Sequence, residues 1–224
     1  MDFIDILKIT ASVIALAIAI IGHEIMHGYI AYKYGDMTAK NAGRLSINPV
    51  KHVDLVGTII VPALMYFIPL LLGGGGGLLF GWAKPVPINM RRVFESGGYN
   101  AAMQVDLAGI VYNFTLATFA SIAITLMAPP TTADSFVYIL LYLVVMQTIV
   151  INVVLGVFNL LPIPQFDGAH FIQHLCMKYN YYKVADFFAK YEPYGMIIVL
   201  VLLMTPLKVI FIAPVETILR LLLS

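Results

Sequence analysis

Residues 9–32 read ITASVIALAIAIIGHEIMHGYIAY, an apolar run that carries His23, Glu24 and His27 near its C-terminal end. About 20 mostly apolar residues span the hydrocarbon core of a bilayer, so this stretch reads as a membrane helix with three ionisable groups inside it. Outward from it, Leu55–Leu72 is uncharged but holds Pro62 and Pro69, while Ala101–Met127 and Phe136–Leu161 are each long enough to cross. A last apolar stretch starts near Tyr194 and meets Pro206 and Lys208. From there to Ser224 the chain either completes that span or lies as an interfacial helix carrying Arg220. The expected fold class is an all-α integral membrane bundle of about four to five transmembrane helices. A re-entrant or extended membrane-associated segment is expected around residues 55–92.

Composition supports this and removes other classes. Of 224 residues, 61% are hydrophobic and 11% charged, against roughly 45–50% and about 25% in an ordinary soluble domain. So few charges cannot coat a water-soluble globule, and so apolar a chain is not intrinsically disordered. Lys+Arg 13 against Asp+Glu 12 leaves a net charge of +1, with no basic tract for nucleic acid. Cys176 stands alone, which excludes an internal disulfide and a cysteine zinc cluster. The whole chain, 1–224, is expected to form a single membrane-embedded domain. Its first segment lacks the basic start of a cleaved signal peptide, carrying Asp2 and Asp5 against Lys8. No internal repeat is present, which gives an inverted-repeat transporter no support.

The connections between segments set the topology. Residues 33–54, 73–100 and 164–193 are basic, whereas Ala128–Ser135 has no Lys or Arg. If every segment crossed, 33–54 and 73–100 would lie on opposite sides, against the tendency of basic loops to stay cytoplasmic. The conflict disappears if Leu55–Leu72 returns to the side it came from. The run Gly73–Gly77 permits a sharp reversal, and Pro85 and Pro87 force extended, edge-type backbone between them.

On a helix, His23 and His27 lie one turn apart on one face, where two imidazoles can share a metal ion. Glu24, one position along, can reach a water on that metal, which is the physical content of the H-E-x-x-H pattern. An accidental cluster would be selected against, because an acidic group at mid-bilayer costs roughly 2.5–3.5 kcal/mol. Catalytic zinc usually has three protein ligands. Asp167, just past Pro162 and Pro164 and next to Gly168, is the best candidate for the third. For the three to meet, the first and fourth segments must run parallel, so an odd number of crossings separates them. That again requires the second segment to contribute none net, and it places the site toward the cytoplasmic side.

Five motifs in order carry a resemblance. His23-Glu24-Ile25-Met26-His27, Gly43-Arg44-Leu45-Ser46-Ile47-Asn48-Pro49, Gly81–Asn89, Leu107–Asn113 and Asn159…Pro162…Pro164…Asp167-Gly168 are similar to segments of the site-2 protease family of intramembrane zinc metalloproteases. Two departures are Ile110, where the family usually has proline, and His170, where a small residue or arginine is commoner. The resemblance implies a catalytic core at about 9–168, followed by C-terminal helices 169–224. It implies one catalytic Zn2+ held by His23, His27 and Asp167, with Glu24 as general base and hydrolysis within or beside a substrate's transmembrane helix. Asn159 resembles a family asparagine near the metal, placed for the substrate backbone or the oxyanion, or else bridging helices. Trp82, Val86, Ile88 and Asn113 are candidate substrate contacts, with Asn113 read more readily as a bridge between helices. The expected partners are a membrane-protein substrate and the lipid bilayer, in a multi-pass protein of the cell membrane, and self-association stays open.

His170 and His174 form a second pair four apart that reads as one face of a surface helix, and His52 reads as solvated or bound to lipid headgroups. Two other function classes compete. A zinc or proton-coupled transporter would need polar residues at several depths, and before Asn159 the fourth segment offers only Gln147, Thr148 and Asn152. An inactive family scaffold is argued against by the intact Glu24. A helical substrate must unwind before attack, and an extended edge at 81–89 is placed to pair with it as an added strand. Replacing Val86 or Ile88 with proline is then expected to reduce cleavage and leave zinc content intact. Unchanged cleavage of a membrane substrate would contradict the pairing.

Overall fold

A computed structural model describes residues 2–54, 84–131 and 133–224. Leu55–Leu72, the glycine run and Trp82 therefore lie outside the described residues, among which no strand occurs.

Helix α1, Phe3–Lys33, starts six residues before the apolar run does, because Asp5 accepts a hydrogen bond from the Asp2 amide at 3.1 Å and closes the first turn. After a short α2, Thr38–Asn41, comes a turn of 3-10 helix at Pro49–His52. Helix α3, Met90–Thr125, likewise begins well before the expected Ala101. Asn89 caps it by accepting from the Arg92 amide, and the polar first turns bend at Gly98, whose φ of 60° suits glycine. Then follow α4, Phe136–Leu160, and α5, Asp167–Lys178. The C-terminal part comprises α6, Tyr182–Tyr191, α7, Gly195–Met204, and α8, Val209–Leu223. Four helical stretches are long and apolar enough to cross a membrane: α1, α3, α4 and the Tyr182–Met204 stretch that joins α6 and α7. This last one begins earlier than the expected Tyr194.

Helices α1, α3 and α4 pack on one another as the centre of the bundle. Along α1 and α3 the contacts run in opposite order: Tyr112 bonds the Ile18 carbonyl, and Tyr34 bonds Gln104. The two helices are antiparallel. Close approach is allowed by small residues: a Cβ on Gly22 would land on the Tyr112 ring, and one on Gly28 would meet Val86 at 2.7 Å. Helix α8 packs along this core. Val215 joins Ala117, Val153 and Val157 in one apolar cluster, the Ser121 hydroxyl donates to the Leu222 carbonyl, and Phe211 meets Phe158 edge to face.

The flanks of 55–83 are joined: the Lys84 amide donates to the His52 carbonyl at 3.0 Å. The Asn89 amide donates to Asp36 at 2.6 Å, so the end of α1 and the start of α3 share one side. Two more contacts pin 84–89, and a third holds His52, whose carbonyl Lys84 meets. Arg44 donates to the Lys84 carbonyl at 2.6 Å, the buried His52 ring bonds the Ser46 carbonyl, and the Val86 amide reaches Glu24. His52 is 2% exposed, a structural residue rather than the solvated one expected from its charged neighbours.

Asp36 is fully buried and accepts the Thr38 amide and hydroxyl as well as Asn89. Burial alone would push its carboxyl up, but these hydrogen bonds, with Arg92, hold it below the usual carboxylate range. A depressed folded value contributes stability above the ordinary pKa near 3.9, and that contribution is lost as pH falls through the folded value. Thermal unfolding of the purified protein should therefore show a loss of stability below about pH 4. Asp36→Asn puts an N–H against the Asn89 amide and should cost about 1–3 kcal/mol at neutral pH. It should also remove this share of the acid sensitivity. An Asn variant with the wild-type pH profile would assign that profile elsewhere.

Candidate metal centre

His23 and His27 stand one helical turn apart near the C-terminal end of α1, both buried. At 1.5 Å per residue they lie about 15 and 9 Å before Lys33. Asp167 reaches them from the α4–α5 connection and is the first residue of α5. The turn before it takes its left-handed residue at Gln165, with φ of 90°. Gly168 serves close packing rather than an unusual backbone. A Cβ there would overlap the Leu160 carbonyl, so the end of α4 and the start of α5 can close only around glycine.

Asp167 Oδ2 lies 3.0 Å from His23 Nε2 and 3.2 Å from His27 Nε2, and the two Nε2 atoms are 3.0 Å apart. The other ring nitrogens decide what these contacts are. His27 Nδ1 lies 2.7 Å from the Val105 carbonyl, which only accepts, so Nδ1 carries the proton. His23 Nδ1 lies 2.6 Å from Asn113 Oδ1, and the amide of that asparagine donates to Asn152 Oδ1 at 2.8 Å and faces the Ala19 carbonyl. His23 therefore carries a proton at Nδ1 as well, which leaves the Nε2 of each ring turned inward. Asp167 Oδ2 adds a third acceptor, buried and without a hydrogen-bond partner. With each Nε2 deprotonated, as a metal ligand must be, three acceptors face one another and need a cation between them. A tetrahedral zinc with arms of about 2.0–2.1 Å has ligand–ligand edges of about 3.3–3.4 Å, close to the triangle found. These three residues, from two helices and a turn, can hold a metal ion.

They line a cavity of about 930 Å³. Glu24 lines it too, its Oε2 fixed by the Val86 amide at 2.8 Å. Asn159 lines it one turn past Leu155, whose carbonyl accepts one of its N–H groups at 3.0 Å. Val86 and Ile88 form part of the wall, with Ile88 also packed on the Ala31–Val93 cluster. Asn113 bonds His23 and Asn152.

Several groups at the site carry no sequence signal. Val105 acts through its carbonyl, and Asn152 through Asn113. Asp106 accepts from His174 at 2.6 Å, which brings this histidine into the cavity wall rather than leaving it on a free surface face. His170 also lines the cavity, 3.9 Å from Glu192. Gly109 had a motif but no stated reason: a Cβ there would strike the His23 ring, so the imidazole lies flat against α3 only where side chain is absent.

A family model described as peptidase family M50 matches residues 11–204. A Bacillus subtilis (strain 168) protein named "Putative zinc metalloprotease YwhC" is 38% identical over 204 residues, covering 87% of this chain and 80% of its own length. No solved structure matches the chain significantly.

Groups that orient metal ligands from behind typically contribute 10–100-fold to affinity. Asn113→Leu, which removes the acceptor for His23, should weaken zinc binding by about that factor. Gly109→Ala, which displaces the ring, should do the same. Chelator competition on purified protein measures both, and wild-type affinity in either would refute the assigned role.

Proposed function

The chain belongs to peptidase family M50, and from that membership we propose that His23, His27 and Asp167 hold a single catalytic zinc with Glu24 as the general base. The protein is a zinc metalloprotease, and the reaction proposed is hydrolysis of a peptide bond within or beside the transmembrane segment of a membrane-protein substrate. The observation that carries this reading is the convergence of three lone-pair atoms, at 3.0–3.2 Å, in a buried site whose outer ring nitrogens are already committed.

Bound there, zinc would lower the pKa of a water toward about 7 and polarise the scissile carbonyl. The remaining work falls to the chain. Glu24 takes the proton of the attacking water and delivers it to the leaving nitrogen, and the Val86 amide keeps its carboxylate aimed into the cavity. Asn159 gives one N–H to the Leu155 carbonyl. Its second N–H has no partner among the described residues and can meet the substrate backbone or the oxyanion. Ile20, Val86, Ile88, Leu155, Phe158 and Met196 provide the apolar wall against which a hydrophobic substrate segment lies.

Lys33, Lys40, Arg44, Lys51, Lys84, Arg91 and Arg92 all stand at the end of the bundle where α1 finishes and α3 begins, which is the end nearer the site. The link 128–135 at the opposite end has no basic residue. This asymmetry supports a cell-membrane protein with its site toward the cytoplasm. The packing of α8 on α3 and α4 supports one unit over 1–224, a catalytic core at about 9–168 with helices 169–224 attached.

Glu24→Gln should retain zinc and lose about 10²–10⁴-fold in cleavage of a reconstituted single-span membrane protein. Undiminished cleavage would overturn the assignment of the base. A wild type that binds zinc, cleaves nothing and moves metal across the bilayer would instead favour the transporter.

A further inference from the structure

Two consecutive residues of α3 reach two different sides of the metal centre. Val105 presents its carbonyl to His27 Nδ1 at 2.7 Å. Asp106, 7% exposed, accepts from His174 Nδ1 at 2.6 Å. His174 belongs to α5, the helix whose first residue is Asp167. Seven residues separate the two, so at 3.6 residues per turn they lie on the same face.

Helix α5 has 12 residues and two buried ones, Gly168 and Ala169, both in its first turn. Beyond that turn its apolar residues, Phe171, Ile172, Leu175 and Met177 among them, are half-buried, so packing fixes its rotation and its position along its axis only in part. The Asp106–His174 bond adds a directional contact to that partial packing. The carboxylate is buried, the Phe94 ring stands edge-on against the imidazole at 5.3 Å, and a charge-assisted bond in such surroundings is directional. The other polar tie between α5 and α3, Lys178 to Asn100 at 2.7 Å, is exposed at the far end of the helix, where water weakens it.

We propose that Asp106 and His174 are positioning residues for the metal centre. Their bond sets the depth and rotation of α5, and so brings Asp167 opposite His23 and His27. The Val105–Asp106 step of α3 thereby acts as a common template for two of the three ligands. This inference rests on the reading of Asp167 as a metal ligand.

The test uses the purified full-length chain in detergent. Zinc affinity is read by chelator competition, and ligand geometry by the visible absorption of the Co2+-substituted protein. His174→Leu and Asp106→Ala should each weaken zinc about 10–100-fold and change the Co2+ spectrum. The double variant should be no worse than either single one, because both remove the same bond. His174→Asn places an amide N–H near the position of Nδ1, and it should recover affinity and spectrum. That rescue also keeps the test decisive if His174→Leu folds poorly. Asp167→Ala is the control. If it loses zinc while His174→Leu keeps wild-type affinity and spectrum, the positioning role is overturned and the ligand assignment stands. The positioning role is likewise overturned if His174→Asn is as weak as His174→Leu. If Asp167→Ala keeps zinc, the ligand assignment falls and takes this inference with it.

Discussion

Three hydrogen-bond acceptors are held face to face inside an apolar bundle, and the rest of the architecture answers to that constraint. Each imidazole has spent its Nδ1 proton on an acceptor of α3, so neither can donate inward without gaining a positive charge. An uncompensated set of this kind is costly where water is scarce. A divalent cation relieves it, and formation of the site is then coupled to metal binding. The energetic logic reverses the usual one for polar groups in membranes. Here the hydrogen bonds that satisfy the outer nitrogens create the inward repulsion that the ion must neutralise.

Helix α1 supplies the two proposed imidazole ligands, but α3 supplies their geometry. Gly109 leaves room for one ring, Asn113 fixes its tautomer, and Val105 fixes the tautomer of the other. Asn113 in turn holds Asn152 of α4, whose own amide bonds the Thr148 carbonyl at 2.8 Å. Polar order thus passes from the site through all three central helices. The buried small residues of α3, among them Ala101, Ala102, Ala108 and Ala117, allow the backbone approach that makes such short bonds feasible. A bulkier α3 would bury more apolar area and leave the ligands undirected.

What could be read in the chain beforehand follows from which contacts are periodic. His23, Glu24 and His27 announce themselves because one helical turn brings the two imidazoles together. Asp167 was reachable because two imidazoles do not complete a catalytic zinc. The parallel run of α1 and α4 followed from the need for these residues to meet, and the contacts of Tyr112 with Ile18 and of Tyr34 with Gln104 agree with the single crossing between them. The starts of α1 and α3 were hidden because Asp5 and Asn89 act as caps outside the apolar runs. His174 and Asp106 lie 68 positions apart, and no spacing rule connects a histidine on a surface helix to a carboxylate in a membrane one. The same holds for Asp36 and Asn89 and for His52 and Ser46, which matter only once the chain has folded back on itself.

The segment 84–89 shows how a loop becomes part of the proposed active site. Pro85 and Pro87 have no N–H, so Val86 carries the lone donor of that triplet, and it goes to Glu24. Arg44, His52 and Asp36 hold the segment at its two ends, and none of them is near Glu24 in sequence. Their burial therefore serves the proposed base indirectly: loosen the loop, and the carboxylate loses the Val86 amide that fixes it. The same chemistry limits how a substrate can join this edge. With Val86 committed and its neighbours unable to donate, the triplet offers carbonyls only. A chain pairing with Pro85 or Pro87 must bring its own N–H groups, which a transmembrane helix exposes only after it has unwound.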